Sequence, residues 1–123
     1  MSELSLNINE HGGVRVISFR DNAILDTLTV QRVSRQLYEI VEQPRSAPVL
    51  IDFENVRFLS SQALGVLLTL RRKADQAGTQ VAFAALRPEL SRVFQLTKLD
   101  SMFQFFDSTA AALAHFAEPG KRG

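Results

Sequence analysis

The sequence predicts a single α/β domain: an N-terminal β-hairpin, then alternating helices and strands, giving a mixed, mostly parallel sheet packed by about four helices. Three observations carry this. Two apolar-alternating runs flank the glycine pair of Glu-His-Gly-Gly. Short apolar runs then alternate with longer segments whose apolar residues recur at helical spacing. One of the short runs, Pro-Val-Leu-Ile-Asp-Phe-Glu at 48–54, is apolar on successive residues, as strands buried on both faces are.

The hairpin is expected over Leu4 to Phe19, with Gly12 and Gly13 free to take positive φ in its turn. A helix follows, with Asp26 or Thr27 as its N-cap. Val30, Val33, Leu37, Ile40 and Val41 form its apolar stripe, and Gln43-Pro44 ends it. Val49 to Phe53 is the buried strand. A second helix is expected from about Ser60 to Ala77, stopped by Gly78. Thr79-Gln-Val-Ala-Phe-Ala-Ala-Leu86 reads as a strand. The next helix has Pro88 near its first position, with Leu90, Val93, Phe94 and Leu96 or Thr97 on its inner face. Ser101 to Phe106 closes the sheet, and Asp107 or Ser108 caps a terminal helix. Phe94, Phe103, Phe105, Phe106 and Phe116 are expected to form one aromatic cluster in the C-terminal half. Residues 1–117 make the domain, and 118–123, Glu-Pro-Gly-Lys-Arg-Gly, a fraying tail.

Composition narrows the function. The 123 residues suffice for one ordinary core, and the net charge of +1 gives no electrostatic case for nucleic acid. Cys is absent, which excludes disulfides, thiolate-bound zinc and thiol catalysis. No apolar window approaches the ~20 residues of a membrane span, and the N-terminal stretch lacks the basic start and apolar run of a signal peptide. The expectation is a soluble cytoplasmic protein. The common nucleotide-binding, seryl-hydrolase and zinc-protease motifs are missing, and the two histidines, His11 and His115, stand in a turn and a helix with no nucleophile context. Asp52 and Glu54, at strand spacing, could begin a metal or acid/base pair, but mark more simply where a buried strand emerges.

The second helix is the informative one. At 100° per residue, Ala63, Val66, Leu67, Leu70, Ala74 and Ala77 share the core face, with Leu64 at its edge. Ser61, Gly65, Thr69, Arg72 and Gln76 fall opposite, so Ser61, Gly65, Leu68 and Arg72 form one outer line. Gly65 costs about 1 kcal/mol against Ala in a helix interior. Either another backbone docks closely on it, or it packs beneath a loop of its own chain. Ser60 and Ser61 stand where a helix presents free N–H groups and partial positive charge. They are simple caps, or they take a phosphate that the fold tolerates and a partner feels.

Residues 49–108, with Leu50-Ile51-Asp52, Phe58-Leu59 and Ser60-Ser61-Gln62-Ala63-Leu64-Gly65, resemble the STAS domain of bacterial anti-sigma factor antagonists. Ile24-Leu25-Asp26 and the helix after it resemble the family's first helix. The family motif is Asp-Ser-Ser-Gly-Leu-Gly. Aligned on Leu64-Gly65, its phosphoacceptor falls on Ser61, its Asp on Ser60, its second Ser on Gln62 and its first Gly on Ala63. The lost Asp makes Ser60 a rival acceptor. Asp26 matches a family Asp associated with phosphorylation and partner binding. The resemblance implies a binding protein, not an enzyme, and no cofactor. Its partners would be an anti-sigma factor, often a serine kinase that brings its own ATP, and a resetting serine phosphatase. Partner-binding residues would be Asp26, Gln62, Gly65, Leu68, Thr69 and Arg72. The altered motif also fits a STAS module never phosphorylated, a scaffold or subunit of a signalling or transport complex. A homodimer is left open.

Overall fold

The computed structural model describes residues 6–19, 23–42 and 47–117. The expected strand start at Leu4, the Gln43-Pro44 stop and the tail 118–123 lie outside them. The described residues form an α/β domain with a hairpin start and four α-helices, as the sequence predicts. Strands β1 (Leu6–His11) and β2 (Val14–Phe19) pair antiparallel, with His11 opposite Val14 across a two-glycine turn. Gly12 and Gly13 have φ of 55° and 83°, the positive values a primed hairpin turn demands. Strands β4 (Val49–Asp52), β6 (Val81–Ala84) and β7 (Gln104–Phe106) add in parallel, giving the order β1-β2-β4-β6-β7.

Two short strands were not anticipated. β3 (Ala23–Leu25) and β5 (Val56–Leu59) pair in parallel as a separate two-stranded sheet. The helices are α1 (Thr27–Glu42), α2 (Ser61–Ala77), α3 (Pro88–Leu96) and α4 (Thr109–Ala117), with a 3-10 turn at Leu99–Ser101 before β7.

Alternation along the central strands divides the core. Ile17, Val49, Ile51 and Phe83 pack with the apolar stripes of α1, α2 and α3, while Val14, Val16, Leu50, Ala82 and Ala84 pack with Ala112 and Phe116 of α4. The same alternation splits the expected aromatic cluster. Phe103 stacks 4.5 Å from Phe83, with Phe94 and Phe105 around it, whereas Phe106 meets Phe116 in the other layer. All five residues of the expected α1 stripe are buried. On α2, Ala63, Leu67, Leu70 and Ala74 are buried, but Ala77 is exposed because the helix leaves the core as it reaches Gly78, whose φ is 74°. On α3, Leu90 and Phe94 are buried. Leu96 is 75% exposed because two 100° steps carry it to the face opposite Phe94, and Thr97 is exposed because it is the C-cap, past the last helical residue.

The C-terminal end of α1 is held from the sheet. The buried Arg15 guanidinium donates to the Ile40 and Ala47 carbonyls, and the buried Thr79 hydroxyl donates to the Val41 carbonyl at 3.1 Å. Helix ends leave carbonyls such as those of Ile40 and Val41 without intrahelical partners and carry partial negative charge, while Ala47 lies beyond α1, before β4. Burial lowers the Arg15 pKa, with Glu10 opposing the shift.

Candidate functional site

The small sheet builds the site. Leu25 on β3 stands in register with Leu59 on β5, and each is followed at once by a helix cap. Paired strands lie about 4.8 Å apart, so α1 and α2 start side by side. Asp26 caps α1: its Oδ1 accepts the Thr29 N–H at 2.9 Å, and its carbonyl accepts from Val30. That hydrogen bond holds the exposed Asp26 carboxyl below the usual carboxylate range, with smaller help from Arg32. Ser60 caps α2, with φ −79° and ψ 167°, and its Oγ accepts the Ala63 N–H at 3.0 Å.

The two serines therefore differ. Ser60 is half-buried and its oxygen is committed to the helix, while Ser61 is the first helical residue and exposed. Below Ser61 the outer line runs as expected through exposed Gly65 and Arg72, with exposed Gln62 beside its head. Leu68 and Thr69 are half-buried, so Leu68 lies closer to the core side than an outer-face leucine would. A Cβ built at Gly65 would meet nothing within 4 Å. Among the described residues no loop packs on it, which leaves that explanation of the glycine without support.

Sequence reasoning missed two residues here. Phe58 on β5 is 48% exposed, and Leu28 in the first turn of α1 is 61% exposed. They bring large apolar surface to the end of the molecule where the caps meet. The signal for Phe58 was weak, because β5 is buried at its two ends and exposed at its two middle residues rather than alternating.

The other candidates have structural roles. Asp52 Oδ1 accepts the Glu54 N–H at 2.9 Å, closing the turn after β4. The His115 ring packs on Phe106 and Phe116 beside Gln104. Among the described residues no group of three His, Cys, Asp or Glu could hold a metal ion, and no helix is long and apolar enough to cross a membrane. A cleft of about 410 Å³ lies over the C-terminal half of α2, between Arg71, Asp75 and Met102, and takes in none of the sequence-predicted site residues.

Fold and paired caps define a small α/β module with an exposed helix start as its distinguishing surface. The STAS domain family matches residues 5–112, and the chain belongs to that family. It is 24% identical over 110 residues to the anti-sigma F factor antagonist of Paenibacillus polymyxa, covering 89% of this chain and 92% of that one. Among solved structures, an anti-sigma-factor antagonist STAS domain protein from Planctomyces limnophilus superimposes with a TM-score of 0.82 at 20% identity, covering 92% and 98% of the two chains. The phosphorylated form of the Bacillus cell fate determinant SpoIIAA shares the fold with a TM-score of 0.68 at 17% identity, covering 89% and 96%. A sulfate transporter family protein from Wolinella succinogenes does so at 0.67 and 13% identity, covering 83% of each. The fold thus serves both antagonists and transporters. The curated relative matched over 110 residues carries the name of an anti-sigma F factor antagonist.

Proposed function

We propose that this protein is an anti-sigma factor antagonist that binds an anti-sigma factor through the head of α2 and is switched off by phosphorylation of Ser61. The observation that carries the reading is the division of labour between the serines: Ser60 spends its oxygen on the cap, and Ser61 presents its hydroxyl to solvent at the top of the outer line. A serine kinase partner would transfer the γ-phosphoryl group of its own ATP to the Ser61 Oγ, releasing ADP and a proton. The helix N-terminus accommodates the added charge of about −1.5 to −2. Ionised Asp26 on the neighbouring cap makes that charge part of a local anionic patch. A partner surface fitted to the neutral state would then meet repulsion and desolvation cost. Phe58, Leu28 and Gly65 suit the unphosphorylated contact, supplying apolar area and room for a close backbone. Gln62, Leu68, Thr69 and Arg72 complete the surface, and a serine phosphatase would restore it.

The test is mass mapping after incubation with the cognate kinase and ATP. Wild type and Ser60→Ala should gain one phosphate on Ser61, and Ser61→Ala none. Phosphate found on Ser60, or on neither serine, would overturn the assignment.

A further inference from the structure

The open edge of the main sheet is untouched by the switch. β1 ends the order β1-β2-β4-β6-β7, with β2 on one side and no described strand on the other. Exposed edges are usually blunted by brevity, Lys, Pro or a bulge. The opposite edge, β7, has three residues. β1 has six, Leu-Asn-Ile-Asn-Glu-His, in unbroken register with β2 and without Lys or Pro. Its residues after Leu6 are exposed, including Ile8 at 43%.

The turn decides which backbone groups face outward. In a two-residue hairpin the flanking residues, here His11 and Val14, exchange both backbone hydrogen bonds, and such pairs alternate along the ladder. Asn7, Asn9 and His11 therefore bond to β2, while Leu6, Ile8 and Glu10 direct their N–H and C=O groups away from the sheet.

We propose that β1 pairs antiparallel with β1 of a second copy about a two-fold axis at Ile8, joining two five-stranded sheets. In this register Ile8 faces Ile8 of the second copy, Leu6 faces Glu10, and Asn7 faces Asn9. A two-fold axis uses the same patch on both copies and closes the assembly at two. A register centred on Glu10 would oppose two carboxylates, and one centred on Asn9 would set both exposed isoleucines against Glu10, whereas the Ile8 register sets opposite Glu10 only Leu6, already buried in its own domain. Centring on Ile8 covers two exposed isoleucines with each other. One strand per copy is a small contact, below the roughly 1,200 Å² of stable interfaces, so the dimer is weak and concentration-dependent. It uses no residue of the α2 line and stands apart from the proposed switch.

The chain has no Cys, so introduced cysteines report the register directly. Under mild oxidation of the full chain, Ile8→Cys should crosslink to itself. A mixture of Asn7→Cys with a mass-tagged Asn9→Cys should crosslink between the two. Each of those alone should crosslink at least tenfold less, because its own copy would lie diagonally at about 7–8 Å, beyond disulfide reach. Adding Ile8→Lys to the mixed pair should cut its yield at least tenfold while far-UV circular dichroism stays unchanged. Crosslinking of Ile8→Cys no greater than that of Gln76→Cys on α2 would overturn the proposal. So would self-crosslinking of Asn9→Cys above that of Ile8→Cys, which would place the axis elsewhere.

Discussion

Replacing Gly65 by Ala separates what the fold needs from what a partner needs. Gly65 lies inside α2, four residues past its start, and the helix runs on to Ala77. Glycine there costs about 0.5–1 kcal/mol relative to alanine, mostly through the freedom it loses on folding. No opposing steric penalty arises from the described residues, because the added methyl group would find nothing within 4 Å. Gly65→Ala should thus raise unfolding stability by about 0.5–1 kcal/mol. For a domain of this size that is roughly 2–4 °C in Tm, readable by urea denaturation and thermal melts. The same variant should bind the anti-sigma partner more weakly, and Gly65→Lys more weakly still, in a titration of purified proteins. A variant no more stable than wild type would show that the fold itself requires the glycine. A stabilised Gly65→Ala, together with Gly65→Lys, binding as wild type does would refute docking as its reason.

Other residues give independent checks. Phe58→Ala should weaken partner binding by about tenfold or more, as loss of an aromatic anchor does, while its half-buried ring costs only about 1 kcal/mol in urea denaturation; unchanged affinity would remove Phe58 from the interface. Arg15→Met should cost about 2–4 kcal/mol in urea denaturation, because the Ile40 carbonyl at the end of α1 and the Ala47 carbonyl before β4 lose a charged donor; a loss below about 0.5 kcal/mol would mean that the carbonyls find other donors. The Asp26 pKa is depressed in the folded state by the Thr29 N–H, so its contribution is present above the unfolded value near 3.9 and lost as pH falls through the lower folded value. Asp26→Asn, itself a good cap, should keep neutral-pH stability and lose this part of the acid dependence in denaturation followed down from pH 5; an unchanged acid limb would contradict it.

Much of the fold was legible because its signals are local. Gly12-Gly13 between two apolar-alternating runs specifies the hairpin, and the stripe from Val30 to Val41 specifies α1. β3 and β5 were not legible. They have three and four residues, and β5 does not alternate. Their pairing joins segments more than thirty residues apart, and no local pattern announces such a contact. Yet that pairing brings Asp26 beside Ser60, so the site's geometry lies in a non-local feature. The outer line on α2 was readable from the 100° step alone. The choice between the serines was not, because both suit a helix start; one hydrogen bond, from the Ala63 N–H to the Ser60 Oγ, distinguishes them. Ala77 and Thr97 were misplaced because periodicity assigns a face but does not show where the helix outruns the core, whereas Leu96 falls off the face of Leu90 and Phe94 by the 100° step itself.

The central claim is that charge at Ser61 decides partner binding. The direct measurement is the Kd of one anti-sigma partner for the unphosphorylated protein and for the same protein phosphorylated at Ser61, at matched ionic strength. Phosphorylation should weaken binding about tenfold or more, equivalent to about 1.4 kcal/mol, with thermal unfolding nearly unchanged. Equal affinity of the two forms, in a protein that remains folded, would contradict it.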